Sequence, residues 1–408
     1  MKHVIIGAGA SGISAARTIR EIRGDDEIVV ISSDEAIYSK CMLHKYISGE
    51  RDEAGLSFIG DGFFKDNNIR RLAGVTVTGI DTAKKQVQFD GGSESYDRLL
   101  IATGSRNVIP PVGNLRSASN VYGLRELNDA KTIREKAGQA NDIVIIGAGL
   151  AGLDAAYALV ELGKKPVLVD IEETVLAKNL DSKAASVYQR KFEEAGCEFR
   201  LGRKVSDTIN DDSGVVTALV LDNGDKLPCD FIISTAGVRP AAEILKDSGA
   251  SFQAGINVDE FMATEADGIY IAGDVAGISG IWPNAVKQGE VAAMNMCGVK
   301  TVYDDAFAQK NTTNFFGIVT LSVGQFIPSE GDEVFTREDR SRYEKVIVRN
   351  GVPVGVILQG DISHSGFWQY LIKKTISVAD IRKPIWKLSF ADFYSVKENG
   401  EYEWQGVS

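Results

Sequence analysis

The chain has 408 residues, 44% of them hydrophobic and 25% charged, with a formal net charge of −11. That is the make-up of an ordinary soluble globular protein, and the length predicts two or three domains. The acidic balance without a long basic run argues against a nucleic-acid partner, and no apolar run approaches the roughly 18 residues of a membrane span.

In chain order, Val4 opens VIIGAGASGISAA: a β-branched run, then G-x-G-x-x-G, then a small-residue helical segment. Gly7 allows the tight turn, Gly9 lets the backbone approach a pyrophosphate, and Gly12 lets helix pack closely on strand, with Ser11 inside the same turn. A folded motif starting at Val4 leaves no room for a signal peptide, so a cytoplasmic protein is expected. The four cysteines, Cys41, Cys197, Cys229 and Cys297, are widely spaced with no C-x-x-C pair. That spacing fits reduced thiols better than a disulfide framework or a zinc site, and no metal is expected. The strand EIVVISSDE ends on Ser32 and Ser33, where such a unit usually places an acidic residue on a ribose. YSKCMLHKYISGE follows at residues 38–50 and gathers Lys40, Cys41, His44 and Lys45.

The pattern then repeats. Val144 opens VIIGAGLAGLDAA, 140 residues after Val4, with Gly147, Gly149 and Gly152 in the three glycine places. The strand PVLVD ends on Asp170, 18 residues after Gly152, and no Arg or Lys follows in IEETV to receive a 2′-phosphate. A carboxylate ~4 Å from a phosphate charge costs about 4 kcal/mol at an effective dielectric near 20, so NADH is expected over NADPH. YDRLLIATGSR, with Ala102, Thr103 and Gly104 in its turn, recurs 133 residues later as CDFIISTAGVR, with Gly237. Each reads as the exit strand of its own nucleotide-binding unit, and two dinucleotides in one chain is the simplest inference. Further on, EKVIVRNGVPVGVIL carries Asn350-Gly351 as a hairpin turn. The aromatic and acidic tail LSFADFYSVKENGEYEW reads as a packed extension rather than a separate module.

Together with IYIAGDVA (Ile269 to Ala276) and GIWPNAVKQGEVAAMNMCG (Gly280 to Gly298), these motifs resemble the FAD-dependent pyridine nucleotide-disulfide oxidoreductase superfamily. Within it the chain is most similar to NADH:rubredoxin oxidoreductases and nitrite-reductase-type flavin domains, over about residues 1 to 360. The resemblance implies an α/β fold with two Rossmann-like, three-layer dinucleotide-binding domains, the NAD unit inserted into the FAD unit, and a C-terminal α+β domain. The implied boundaries are 1–111 and 241–308 for FAD, 112–240 for NADH and 309–408 for the C-terminal part. It implies FAD and NADH as cofactors, with Asp274 on the ribityl chain, Ala102 to Gly104 against FAD and the Val77 backbone by the adenine. The helix near Pro283, with Trp282 at its start, would point its N-terminus at the flavin pyrimidine.

In ferredoxin- and rubredoxin-reductase types, a lysine near flavin N5 pairs with a glutamate; here Lys45 and Asp154 stand at those places. The bland reading is a solvated lysine and an interdomain hydrogen bonder. Lys40 matches an arginine of the family and would hold pyrophosphate or pack at the site rim. Cys41 stands where rubredoxin-type reductases carry proline, and where NADH oxidases, peroxidases and coenzyme A-disulfide reductases carry a redox cysteine. Both readings stand, and in the second Lys45 would favour a thiolate. A two-thiol disulfide reductase is excluded, because position 46 is Tyr.

The implied reaction passes hydride from NADH to flavin, then electrons to a small redox protein, rubredoxin-like by resemblance, or to a small-molecule acceptor. The alternatives are an oxidase, peroxidase or disulfide reductase working through Cys41, and, from another class, a non-catalytic NADH-responsive flavoprotein. A homodimer is expected from family analogy alone.

Overall fold

The structure is a computed structural model, and it describes residues 1–245, 257–305 and 310–404. The chain divides into two compact units. The larger comprises Met1–Gly147, Ala151–Val169 and the described part of 197–308; the smaller comprises Ala148–Leu150, Asp170–Gly196 and the described part of 309–408. The expected boundary between 308 and 309 lies outside the described residues.

The larger unit holds two five-stranded parallel sheets built to one plan. In the first, Lys2–Ile6 lies between Glu27–Ser32 and Arg98–Ile101, flanked by Ile69–Ala73 on one side and Ile269–Ile271 on the other. In the second, Ile143–Ile146 lies between Val167–Val169 and Phe231–Ser234, flanked by Glu198–Arg200 and Val121–Tyr122. Most of these strands read as continuous apolar runs rather than alternating ones because parallel sheets are covered on both faces. Val4 and Ile5 in the first central strand, and Val144 and Ile145 in the second, are fully buried. Each repeat also inserts a three-stranded antiparallel sheet before its exit strand: Val77–Asp81, Gln86–Phe89 and Gly92–Ser95 in the first, and Val205–Asn210, Val216–Leu221 and Lys226–Pro228 in the second.

The glycines act sterically. A Cβ on Gly12 would sit 2.0 Å from the Gly7 carbonyl oxygen, and one on Gly152 would sit 2.0 Å from that of Gly147. Only hydrogen fits where each helix crosses the turn that feeds it. The two echoed exit strands run on into one shared ribbon. Ser105–Asn107 pairs antiparallel with Val238–Pro240, in the register Asn107 to Val238 and Ser105 to Pro240.

In the smaller unit an antiparallel sheet runs Lys310–Phe315, Ile318–Gly324, Val352–Gln359, Tyr343–Arg349, Glu333–Glu338. The hairpin turn falls on Asn350-Gly351, both at positive φ (50° and 77°), the backbone of a type I′ turn. Helix Ser182–Glu194, drawn from the second repeat, belongs to this unit. Its N-cap Asp181 accepts from the Ala184 amide, the Tyr343 hydroxyl (2.8 Å) and the buried Lys345 ammonium (2.9 Å). Tyr188 directs its hydroxyl to Thr320 at 2.7 Å and to the Ile318 carbonyl at 2.8 Å. The tail packs on helix Ser365–Lys373 through Phe390 and Phe393 against Phe367, and closes with a hairpin, Tyr394–Val396 with Tyr402–Trp404. No helix among the described residues is long and apolar enough to cross a membrane.

Candidate functional site

A long cleft in the larger unit runs along the carboxyl ends of the first parallel sheet, where open α/β sheets place their ligands. It encloses about 1290 Å³, part of it open to solvent. Of the residues expected from the first repeat and its return segment, the lining includes Gly7, Gly9, Ser11, Ser32, Ser33, Lys40, Cys41 and Val77. Ala102, Thr103, Gly104, Asp274 and Trp282 line it too. Gly12 lies behind the turn and serves packing instead.

The shape of the cleft follows from its elements. Ser11 is held by its hydroxyl on the Ala272 carbonyl, 3.2 Å away, which ties the first fingerprint to the Asp274 loop 261 residues on. A Cβ on Gly9 would meet nothing within 4 Å, so the backbone amides after the first strand face open space. Helix Ala10–Ile22 starts there, with no side chain capping its first amides, which leaves a cradle for a phosphate. Helix Trp282–Met296 begins at the other end with Pro283 in its first turn, and its free amides favour negative charge. The backbone cradle in the middle, a polar wall at Asp274 and a helix N-terminus at the far end fit FAD.

Among the lining residues that the sequence did not single out, four make polar contacts that shape the cleft: Tyr38, Ser105, Arg125 and Glu126. Arg125 places a guanidinium nitrogen 2.5 Å from Asp274, which also accepts from the Ser105 hydroxyl at 2.9 Å. Glu126 receives the Tyr38 hydroxyl at 2.8 Å and the Lys40 ammonium at 2.6 Å, so Lys40 is neutralised at the rim. Tyr38 is buried, and burial beside Glu126 holds its hydroxyl protonated well above the usual range. The signal available was the charged pair Arg125-Glu126 immediately before the apolar start of helix Leu127–Ala137, where Glu126 and Asp129 form a capping box.

Lys45 and Asp154, the pair that the family resemblance implies, make no direct ion pair among the described residues. Gly49 adopts the left-handed conformation that ends helix Leu43–Ser48, the chain folds back, and the Lys45 ammonium binds Glu50 at 2.6 and 2.8 Å. His44 faces Asp154 instead, with Nδ1 3.9 Å from a carboxylate oxygen. Burial pushes the Asp154 carboxyl up to about 7, against the opposing pull of Lys45. Nor is a Cys41 thiolate favoured. Partial desolvation pushes this thiol up, Arg125 pulls the other way, and Asp154 and Asp274 add to the rise. Cys197, Cys229 and Cys297 are buried thiols.

In the second repeat, Gly147 and Gly237 take positive φ (111° and 117°), and a Cβ on Gly149 would meet nothing within 4 Å. Asp170 is fixed by accepting from the Ala148 amide at 2.5 Å and the Glu172 amide at 2.9 Å. Among the described residues, no group of three or more His, Cys, Asp or Glu side chains could hold a metal ion.

A family described as pyridine nucleotide-disulphide oxidoreductase matches residues 1–289, and one described as rubredoxin NAD+ reductase C-terminal domain matches residues 310–376. The chain is 28% identical to nitrite reductase [NAD(P)H] of Bacillus subtilis over 93% of its own length, and spans 48% of that relative. It is 30% identical to the NADH-dependent phenylglyoxylate dehydrogenase subunit epsilon of Aromatoleum evansii, over 93% of both chains. The reductase in a covalent putidaredoxin reductase–putidaredoxin complex superposes with a TM-score of 0.82 at 26% identity, over 92% of this chain and 94% of that one.

Proposed function

Because the chain belongs to the pyridine nucleotide-disulphide oxidoreductase family, we propose that it takes hydride from NADH and delivers electrons singly to a small redox protein of the rubredoxin kind. It is an NADH-dependent flavoprotein oxidoreductase. FAD, when bound, accepts two electrons as hydride and releases them one at a time. On our reading, Ser32, Ser33 and Val77 hold the adenosine end, Gly7, Gly9 and Ser11 cradle the pyrophosphate, and Asp274 with Ser105 orients the ribityl chain. Arg125 neutralises Asp274 and keeps it aimed into the cleft. Trp282 and the amides behind it favour negative charge at the ring end. Gly147, Gly149 and Gly152 receive the NADH pyrophosphate, Asp170 its adenine ribose, and Gly237 lines the approach. Residues 1–111 with 241–308, then 112–240, then 309–408 are the corresponding domains in this reading, in a cytoplasmic homodimer.

The observation that carries the proposal is a cleft that collects twelve residues predicted from the sequence for one dinucleotide, beside a second copy of the same fold. The test is anaerobic turnover with NADH against a panel of acceptors: rubredoxin, a two-iron ferredoxin, cytochrome c and oxygen. Steady reduction of one of the iron proteins, faster than that of oxygen, is the expected result.

One observation favours a second reading: Cys41 lines the same cleft, near Asp274. A redox thiol there would make the protein an oxidase, a peroxidase or a coenzyme A-disulfide reductase. Dithionite titration separates the two, since four electrons per FAD require the thiol and two do not. Two electrons per FAD, with full activity in Cys41→Ala, is the expected result.

A further inference from the structure

FAD carries a doubly charged pyrophosphate, yet every basic side chain lining the cleft is already paired with a carboxylate that lines it too. Lys40 binds Glu126 at 2.6 and 2.7 Å, Arg106 meets Glu243 at 3.3 Å, and Arg125 holds Asp274. Asp34 adds a fourth carboxylate to the lining. Phosphates entering this cleft meet backbone amides, and they meet a side-chain cation only where one of these pairs opens. The position of the Lys40–Glu126 pair singles it out. On one side of it lies Asp34, whose carbonyl accepts the Ser32 hydroxyl at 2.8 Å and whose carboxylate is within electrostatic reach of both Lys40 and Glu126. On the other side Arg125, the chain neighbour of Glu126, reaches Asp274. The pair therefore stands between the adenosine end and the ribityl end of the cleft, the stretch that the pyrophosphate of FAD occupies.

The two partners differ in freedom. Glu126 is anchored at the entry to helix Leu127–Ala137, with its amide on Asp129 at 2.9 Å and its carboxylate accepting the Tyr38 hydroxyl at 2.8 Å. Lys40 reaches it from the short turn Lys40–Met42, on a flexible aliphatic stem. When the ammonium swings away, the carboxylate keeps its tyrosine bond and its contact with water, since 43% of the Glu126 side chain is exposed. We propose that Glu126 competes with the FAD pyrophosphate for Lys40, and so keeps the flavin exchangeable. The inference rests on the flavoprotein reading above. A phosphate has to win the ammonium from an acceptor that is held in place, and the carboxylate it displaces stays beside it as a like charge. Both effects weaken FAD binding, and both vanish when Glu126 loses its charge.

Release of FAD from the loaded, full-length protein tests this, followed by the recovery of flavin fluorescence on dilution. Glu126→Gln keeps the shape of the side chain and an acceptor for Tyr38 while removing the competing charge. It is expected to slow release at least about tenfold and to lower the dissociation constant by the same factor. Between about 0.05 and 0.5 M salt the unmodified protein should change little, because screening weakens the bonds of Lys40 to Glu126 and to phosphate alike. Glu126→Gln should release FAD faster as salt rises, since only the phosphate bond is left to screen. Lys40→Met should release FAD at least about tenfold faster than the unmodified protein. Adding Glu126→Gln to Lys40→Met should slow release far less than Glu126→Gln does alone, because no ammonium remains to be freed. Release from Glu126→Gln at the unmodified rate or faster would overturn the proposal. Unchanged release from Lys40→Met would do the same, as would a Glu126→Gln effect undiminished in the Lys40→Met background. A protein that takes up no FAD at all would defeat the flavoprotein reading and this inference with it, whereas each of the other three results defeats the competition alone.

Discussion

Asp274 is the residue on which the polar geometry of the cleft converges, since it meets both Ser105 and Arg125. Removing its carboxylate leaves the Arg125 guanidinium, 22% exposed, without a counter-charge. Charge-assisted hydrogen bonds of this kind contribute about 1.5–3 kcal/mol each. Asp274→Ala is therefore expected to purify with FAD affinity at least tenfold weaker, read from flavin absorbance per polypeptide. Asp170 makes a second prediction: with its carboxylate fixed by two amides, Asp170→Ala should lose most of the preference for NADH over NADPH in kcat/KM. The third concerns pH. His3 is fully buried, and burial lowers its titration despite its bond to Asp26 at 2.9 Å. A group whose folded titration lies below its unfolded one contributes stability above the unfolded value and loses it as pH falls toward the folded one. Thermal stability should therefore decline below about pH 6.5, and less steeply in a folded His3→Gln variant, in melts across pH 5 to 8. Much of the cleft's lining was legible at this scale because those residues sit in contiguous motifs: the glycine turn, ATG and GD. Arg125 and Glu126 were not, because their partners lie 149 and 88 residues away and no local spacing encodes them. The choice of His44 over Lys45 was hidden in one step of helix phase, about 100° of rotation.

Elements show where the sequence speaks and where it is silent. Both parallel sheets could be read from β-branched runs leading into glycine turns, and the hairpin at Asn350-Gly351 from its turn residues. The five-stranded order could not, because its outer strands come from far along the chain: Ile269–Ile271 beside Arg98–Ile101, and Val121–Tyr122 beside Phe231–Ser234. Strand Glu333–Glu338, with the sequence EVFTRE, has little apolar pattern to announce it and forms by pairing with Tyr343–Arg349. The association of helix Ser182–Glu194 with the C-terminal sheet was also illegible. It depends on Asp181 meeting Lys345, 164 residues away, and on Tyr188 meeting Thr320, 132 away. That contact makes an element-scale prediction. Asp181→Ala strands the Lys345 ammonium, a buried charge, and should cost about 3–5 kcal/mol. Lys345→Met, which leaves Asp181 its helix-cap and tyrosine partners, should cost less. Urea unfolding of the two variants gives the comparison.

At the scale of the whole molecule, a duplicated nucleotide-binding fold carries a cleft at its first copy and a fixed acidic residue at its second. The two exit strands meet in the ribbon of Ser105–Asn107 with Val238–Pro240, so each repeat leaves its own sheet beside the other. FAD bound only to the folded state should add about 2.7 kcal/mol of stability at a hundredfold excess over Kd, and Tm should rise with FAD concentration. The formal net charge of −11 sets no acceptor by itself. The most direct test of the central claim is an anaerobic titration of the FAD-loaded protein with NADH, followed by flavin absorbance. The account predicts complete bleaching at one NADH per FAD, little at the same NADPH concentration, and full return of colour on adding two equivalents of ferricyanide. A flavin that stays oxidised under excess NADH would contradict it.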